Sequence, residues 1–336
     1  SDTTWNVAGS PYVLAGQVQV PQGVTLTLSP GVVVKGNSSG ELRVDGTLVA
    51  DGTEAAPIVF TSYKDDSYGG DTNGDGVATS PSARDWEGLS FWSSSTGNVL
   101  DYVVLRYAGA SSNTDCSGSG SLGMCVVTSG LTFSNGVVDR VSSVGIWVTG
   151  TGVSPTITGS EFSNNGFGVR ANGDATPTIT GNTFTDNSYA IYLNAGSAAS
   201  TFNGNTAVGS TGNNGVYLSG GSLGQDAVWD EQMAVILGGQ VHVPQGVTLT
   251  LSPGVVVKGN SGGQLRVDGT LVADGTEAAP IVFTSYKDDS YGGDTNGDGT
   301  ATSPSTSDWR GIWFTPSSAV NVLDYVVLRY SGSSTS

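Results

Sequence analysis

The sequence predicts an all-β protein, a β-solenoid built from short strands, and three observations carry the prediction. Glycine accounts for 51 of the 336 residues, and short runs of Val, Ile, Leu and Thr lie between clusters of Gly, Asn, Asp and Ser. This alternation is typical of many short strands separated by turns. A motif of about 22–25 residues recurs through the middle of the chain, and a long segment is duplicated, as expected for a repeat protein.

The short repeat is clearest between residues 155 and 218. The sequence Pro-Thr-Ile-Thr-Gly occupies 155–159 and returns at 177–181. A second strand keeps pace with it, at positions 145–148, 168–171, 190–193 and 215–218. Alternation of period two predicts that Ile157 and Ile179 point inward and the flanking threonines outward. Asn182 and Asn205 fall where a coil turns, so stacked side-chain amides are expected to satisfy turn backbone there.

The long duplication sets the domain organisation. Residues 17–108 recur at 240–331, and both copies contain VPQGVTLTLSPGVVVKGNS. Residues 109–227 form the middle coils between the copies and contain both cysteines. We therefore expect one continuous solenoid over 1–336.

The charge of the chain excludes several classes of partner. There are 29 acidic and 12 basic residues, a formal net charge of −17. Such a balance argues against binding to nucleic acid or to anionic membranes. The sequence lacks an apolar run of about 18 residues, so membrane insertion is not expected. The composition favours an extracellular or cell-surface protein.

Two acidic loops carry the pattern D-x-N-x-D-G, at 71–76 and 294–299. The pattern places three oxygen-bearing side chains on one side of a tight turn. An EF-hand would have Glu at its twelfth position, where this chain has Ser82 and Ser305. Hard oxygen ligands favour Ca²⁺, and the alternative is a solvated acidic turn. The predicted ligands are Asp71, Asn73, Asp75, Asp65, Asp66 and the carbonyl of Val77, and in the second copy Asp294, Asn296, Asp298, Asp288, Asp289 and the carbonyl of Thr300.

The motif PTITGNTFTDNSYAIYLN, at 177–194, resembles the right-handed parallel β-helix superfamily that includes pectate lyases. The stretch GTLVADGTEAAPIVFTS, at 46–62, resembles β-helix modules of large bacterial surface and secreted proteins. The D-x-N-x-D-G loops resemble calcium loops inserted in many extracellular β proteins. The resemblance implies a right-handed parallel β-helix with inserted calcium loops. It leaves activity open, since the superfamily includes lyases, hydrolases, binding modules and inert stalks.

The sequence assigns no catalytic residue. The single histidine, His242, has Gln19 as its counterpart in the first copy, and a catalytic base should not be exchangeable. We therefore interpret His242 as a surface residue. An outward column along the middle coils is the better binding candidate, since aromatic rings in register can stack on sugars. The alternative is an exposed ladder that simply favours strand geometry. The candidate glycan-facing residues are Trp147, Arg170, Tyr192 and Tyr217.

The two cysteines, Cys116 and Cys125, lie close together in a Gly/Ser-rich loop. A nearby pair in such a loop, in a composition typical of secreted proteins, predicts a disulfide bond. Two unpaired thiols are the alternative.

Two functions of different classes follow. The first is a calcium-stabilised extracellular structural or adhesive module whose partner is another copy of itself, end to end, or a neighbouring repeat, in a filament or stalk. The second is a β-helix that binds or degrades a polysaccharide.

Overall fold

A computed structural model describes residues 1–110, 121–230, 233–318 and 320–333. The chain divides into two compact units, Ser1–Arg170 and Ala171–Ser336. Short parallel strands form both units, as the sequence predicts. Two 3₁₀ turns cover Val7–Gly9 and Ala195–Ser197. Among the described residues, no helix has the length and apolarity that crossing a membrane requires.

In the first unit, each coil contributes one strand to each of three parallel sheets. The first sheet has the order β1 (Thr3–Trp5), β4 (Thr25–Leu28), β7 (Thr47–Asp51), β10 (Asn98–Asp101), β13 (Leu131–Ser134) and β16 (Thr156–Thr158). The second has β2 (Tyr12–Leu14), β5 (Val33–Gly36), β8 (Ile58–Ser62), β11 (Val103–Arg106), β14 (Val137–Asp139) and β17 (Glu161–Ser163). The third has β3 (Gln17–Val20), β6 (Glu41–Val44), β9 (Gly88–Phe91), β12 (Leu122–Val126) and β15 (Val144–Thr149). Strand β18 (Phe167–Asn172) includes the unit boundary.

The second unit begins with the short strands β19 (Thr178–Thr180), β20 (Thr183–Thr185) and β22 (Thr206–Val208). Its longest sheet has the order β21 (Tyr189–Leu193), β23 (Asn213–Leu218), β26 (Val235–Leu237), β29 (Val256–Gly259), β32 (Ile281–Ser285) and β35 (Val326–Leu328). A second sheet contains β24 (Gly221–Ser222), β27 (Gln240–Val243), β30 (Gln264–Val267) and β33 (Gly311–Phe314). A third contains β25 (Ala227–Trp229), β28 (Thr248–Leu251), β31 (Thr270–Asp274) and β34 (Val322–Asp324).

The core consists of inward side chains stacked one coil above another. In the first sheet of the first unit, parallel pairing aligns Leu28, Ala50, Leu100, Phe133 and Ile157 in one column. All five are at most 1% exposed. Complete burial of a Leu or Phe side chain stabilises a fold by about 1.5–3 kcal/mol, so such columns hold successive coils together. Ile179 is also completely buried, and the predicted inward orientation of both isoleucines is confirmed.

The predicted amide ladder is present in the second unit. Asn205 Oδ1 accepts hydrogen bonds from the backbone N–H of Asn182 at 3.0 Å and from its side-chain amide at 3.1 Å. Asn205 Nδ2 donates to the carbonyl of Ile179 at 2.8 Å. Both asparagines are at least 98% buried, so these amides satisfy turn backbone that water does not reach.

Candidate metal centre

The first acidic loop (63–76) follows β8, and the second acidic loop (286–299) follows β32. The two loops are identical in sequence. In both, the glycines of the motif have left-handed backbone, with φ near 70° at Gly74, Gly76, Gly297 and Gly299. A non-glycine residue is strained in that region, so the motif's glycines are what allow the tight turn.

Each loop brings three carboxylates together. One oxygen each from Asp66, Asp71 and Asp75 lies within 4.8 Å of the others. The same holds for Asp289, Asp294 and Asp298. Carboxylates this close repel one another, which favours a bound cation or a proton. In the second loop burial, followed by the Asp294 carboxylate, raises the pKa of Asp289.

Several buried oxygens in the loops lack a hydrogen-bond partner among the described residues. Two positions recur in both copies: Asp66 Oδ1 and Asn73 Oδ1 in the first loop, and their counterparts Asp289 Oδ1 and Asn296 Oδ1 in the second. The first loop adds Asp75 Oδ1. A buried acceptor without a partner costs about 1–3 kcal/mol, so its recurrence needs an explanation. A hard cation that takes oxygen ligands would satisfy all of them.

Backbone amides already shape the first acidic loop around Asp71. Its Oδ1 accepts from the N–H groups of Gly74 at 2.7 Å and Asp75 at 3.2 Å, and its Oδ2 accepts from Gly76 at 2.9 Å. The Asn73 amide donates to Asp75 Oδ2 at 2.8 Å, which turns its own Oδ1 away from that contact. Five residues of the motif are therefore joined by these hydrogen bonds.

The structure places two predicted ligands, Asp65 and Asp288, outside the carboxylate clusters. Asp65 is 2% exposed, and its Oδ2 accepts from Thr61 Oγ1 at 2.6 Å while its Oδ1 accepts from Ser67. Asp288 makes the same contacts with Thr284 and Ser290. Burial alone would raise the pKa of Asp288, but hydrogen bonds from Ser290 and Thr284 outweigh it and the pKa is lowered. These two carboxylates brace the loops, and their neighbours Asp66 and Asp289 join the clusters.

The remaining predicted ligands, the carbonyls of Val77 and Thr300, directly follow the motifs. Both side chains are exposed. Their role as ligands stays a prediction.

Sequence reasoning missed a buried lysine beside each cluster. Lys35 Nζ donates to the carbonyl of Gly70, and Lys258 Nζ to that of Gly293, both at 2.6 Å. Each lysine is 0% exposed, and burial lowers the pKa of Lys258 to about 8. The available signal was a lysine directly after a run of three valines in both copies, within a strand where a buried charge is unusual.

The two loops differ in what they contact. The second acidic loop packs on 210–214: the Asn214 backbone N–H donates to the carbonyl of Thr295 at 2.9 Å, and its side-chain amide to that of Asp294 at 3.0 Å. Thr295 is completely buried, whereas its counterpart Thr72 is only half-buried. The two acidic loops, although identical in sequence, are therefore held by different contacts.

The predicted outward column is only partly exposed. Trp147 is 1% exposed because it packs with Leu122, Cys125 and Val144 under Val127 and Phe167, so its assignment as glycan-facing is wrong. The Arg170 guanidinium carbon lies 5.2 Å from the centroid of that ring.

Two predicted members in the second unit do form an aromatic platform. Tyr192 and Tyr217 stack with centroids 5.2 Å apart, and Tyr189 meets both rings edge-on. All three are half-buried.

His242 lies in a polar ladder. Its Nδ1 is 3.0 Å from Ser222 Oγ, and its Nε2 is 3.0 Å from Asp268 Oδ2. Hydrogen bonds, those of Arg266 foremost, lower the pKa of Asp268 to about 2. In the first copy Gln19 donates to Asp45 at 2.6 Å in the same place. A neutral amide makes the equivalent contact, which favours a structural role for the imidazole.

The predicted Cys116–Cys125 bond includes a residue outside the described ranges, since Cys116 belongs to 111–120. Cys125 itself is 1% exposed on β12. The disulfide stays a prediction.

Comparison with known proteins supports the fold. A family model described as a right handed beta helix region matches residues 93–225, and one described as a pectate-lyase like beta helix domain matches residues 1–146. No curated protein and no solved structure matches the chain. Together with the stacked parallel sheets, these matches establish the fold as a right-handed parallel β-helix.

Proposed function

We propose that this protein is a calcium-stabilised structural module of an extracellular or cell-surface assembly, in which β-helical repeats stack end to end. One observation carries the proposal. In both acidic loops three carboxylates offer oxygens within 4.8 Å of one another, and two equivalent buried oxygens, those of Asp66/Asp289 and Asn73/Asn296, lack a partner among the described residues. Calcium takes six to eight oxygen ligands in flexible geometry, which suits such loops.

The stabilising effect follows from where the loops sit. The first acidic loop connects β8 to β9, and the second connects β32 to β33, so each links two strands of different sheets. Without a cation, the three carboxylates repel and the loop is pushed open. A cation bound to the folded loop and not to the unfolded chain raises the free energy of unfolding by mass action. At a free calcium concentration of about 100 times Kd this amounts to about 2.7 kcal/mol.

Calorimetry in calcium and in EDTA tests the proposal. We expect chelation to lower the melting temperature, and calcium titration to restore it. The double variant Asp75→Asn/Asp298→Asn should lose most of this response because one carboxylate leaves each cluster. Glu54→Gln/Glu277→Gln is the matched control, since these exposed acids are outside both carboxylate clusters and their substitution removes the same charge. A melting temperature that EDTA leaves unchanged in the unmodified chain would refute calcium stabilisation.

A polysaccharide-binding role is the second candidate. It is favoured by the Tyr189–Tyr192–Tyr217 platform and by the match of residues 1–146 to a pectate-lyase-like model. Tyrosine rings can stack on sugar rings while the hydroxyl groups stay hydrated. A glycan array probed with the full chain, followed by a reducing-end assay on any bound polymer, separates binding from cleavage. Tyr192→Ala should abolish the signal, and a signal that persists in this variant would remove the platform from consideration.

A further inference from the structure

The second acidic loop contacts the aromatic platform of Tyr189, Tyr192 and Tyr217 through one more tyrosine. The Tyr286 hydroxyl, at the start of the loop, donates to the carbonyl of Gly212. A Cβ added at Gly212 would lie 3.4 Å from the ring of Tyr189, so a single glycine stands between the loop and the platform. All of these residues belong to the second unit, so the contact is internal to it.

The electrostatic surroundings of Tyr286 include both the platform and the carboxylate cluster. Burial raises the pKa of this phenol, and Tyr189 and Tyr217 act next in the same direction. The carboxylates of Asp294 and Asp298 raise the pKa further. A negative charge on Tyr286 is thus opposed by platform and cluster alike, which places this side chain within electrostatic range of each.

The two acidic loops use the same groups in two different hydrogen-bond arrangements. In the first loop the Tyr63 hydroxyl donates to the carbonyl of Thr72 at 3.1 Å, so the loop is closed on itself. In the second loop the equivalent carbonyl, that of Thr295, accepts from the backbone N–H of Asn214 at 2.9 Å. The equivalent tyrosine hydroxyl points to the linking segment, residues 210–214. One loop sequence is therefore compatible with a self-contained arrangement and with one joined to the linking segment.

The linking segment has the features of a segment that can change conformation. Asn213 is completely buried, and neither its Oδ1 nor its Nδ2 has a hydrogen-bond partner among the described residues. Ser210, 1% exposed, leaves its Oγ without one as well in the same part of the structure. The pairing of β21 with β23 shifts register between Tyr189 and Ile191, opposite the start of β23. Unsatisfied buried groups destabilise the arrangement that buries them, so this segment is held less firmly than a regular coil.

We propose that calcium bound in the second acidic loop orders the linking segment through the Tyr286 hydroxyl, and that the aromatic platform is ordered with it. Without a cation, repulsion among the carboxylates of Asp289, Asp294 and Asp298 opens the loop and withdraws this hydroxyl from its carbonyl partner. Sugar binding at the platform then depends on calcium, although the ion is held by the loop. By linkage, a bound sugar tightens calcium binding in this loop by the same factor. The inference rests on the calcium site and on the polysaccharide candidate, and it adds the regulation of that candidate site.

Hydrogen exchange at the amides of residues 212–218, in saturating calcium and in EDTA, tests the proposal. We expect calcium to slow this exchange by about fivefold or more, because exchange from a loosely held segment follows its local opening. Tyr286→Phe removes the hydroxyl alone and should lose most of the slowing. Tyr63→Phe is the matched control, since it makes the same change at the same position of the identical first loop, and it should keep the slowing.

Titration calorimetry and tyrosine nitration complete the test. Calorimetry on each variant establishes whether calcium binds both loops. Tetranitromethane, read out by mass spectrometry, should nitrate Tyr217 more slowly in calcium than in EDTA, because the ordered stack shields the ring. Equal exchange or equal nitration in the two conditions, with calcium bound, would overturn the inference and leave calcium stabilisation standing. Full slowing in Tyr286→Phe would also overturn it, and calcium that binds neither loop would sink the inference and the calcium proposal together.

Discussion

At the scale of single residues, the buried lysines are the least expected feature of the chain. Lys35 and Lys258 are completely buried next to carboxylate clusters, each with its ammonium group on a loop carbonyl. Burial penalises the charged form, and the nearby aspartates only partly offset that penalty. The pKa of both lysines is therefore lowered, and folding favours loss of the proton.

The stability of the chain should consequently depend on pH through Lys258. Its pKa is about 8 in the folded state and near the ordinary 10.5 when unfolded. Between these values the unfolded chain binds more protons, so the free energy of unfolding rises with pH, by up to about 3 kcal/mol. We expect Lys258→Met to flatten this rise, measured by urea unfolding in EDTA between pH 8 and 10.

Lys287→Met is the control, because that side chain is 41% exposed and paired with Asp308. The explanation fails if the two variants have equal slopes.

At the scale of elements, side-chain amides at the turns matter as much as the strands. The Asn205 side chain accepts a hydrogen bond from the backbone N–H of Asn182 and donates one to the carbonyl of Ile179, in a site that water does not reach. Asn205→Ala should lower the free energy of unfolding by about 1–3 kcal/mol, since it leaves both groups without a partner. Chemical unfolding measures the loss. Asn203→Ala, an exposed asparagine two positions earlier, should change it by less than about 0.5 kcal/mol. Equal losses in both variants would contradict the ladder's role.

The strands and their inward residues could be predicted because their signal is periodic and local. Ile157, Ile179 and the amide ladder all followed from alternation and from the spacing of the repeats. Burial on the outer side of a strand could not be predicted this way. Trp147 points outward as its position in the strand requires, but residues from neighbouring segments cover it.

The metal loops illustrate the same limit. The motif predicted Asp71, Asn73 and Asp75 as one group, and the structure brings the two aspartates together. It did not distinguish Asp65 from Asp66, since adjacent carboxylates are chemically alike. Their roles differ because Thr61 and Ser67 donate hydrogen bonds to Asp65, which leaves Asp66 to join the cluster.

At the scale of the whole molecule, the two acidic loops have the same sequence but different surroundings. Their calcium sites should therefore differ in affinity. Asn214 fixes the carbonyls of Asp294 and Thr295, so the second acidic loop is held in shape before an ion arrives. Preorganisation lowers the entropy lost on binding. Titration calorimetry should resolve two classes of site, and Asp75→Ala should remove the weaker one.

Asn214→Ala should weaken the tighter site by up to about tenfold, since one hydrogen bond contributes about 0.5–1.5 kcal/mol. Two indistinguishable sites in the unmodified chain would contradict the argument.

The near-identity of residues 17–108 and 240–331 also bears on how such a gene changes with time. Recombination between two similar stretches deletes or inserts the whole interval between them. Because the two stretches occupy equivalent positions in their coils, the recombined chain would pass from one copy to the other at equivalent strands. Stability in solenoids is approximately a sum over repeats and their nearest neighbours, so a lineage could lengthen or shorten the protein by one unit without redesigning any interface.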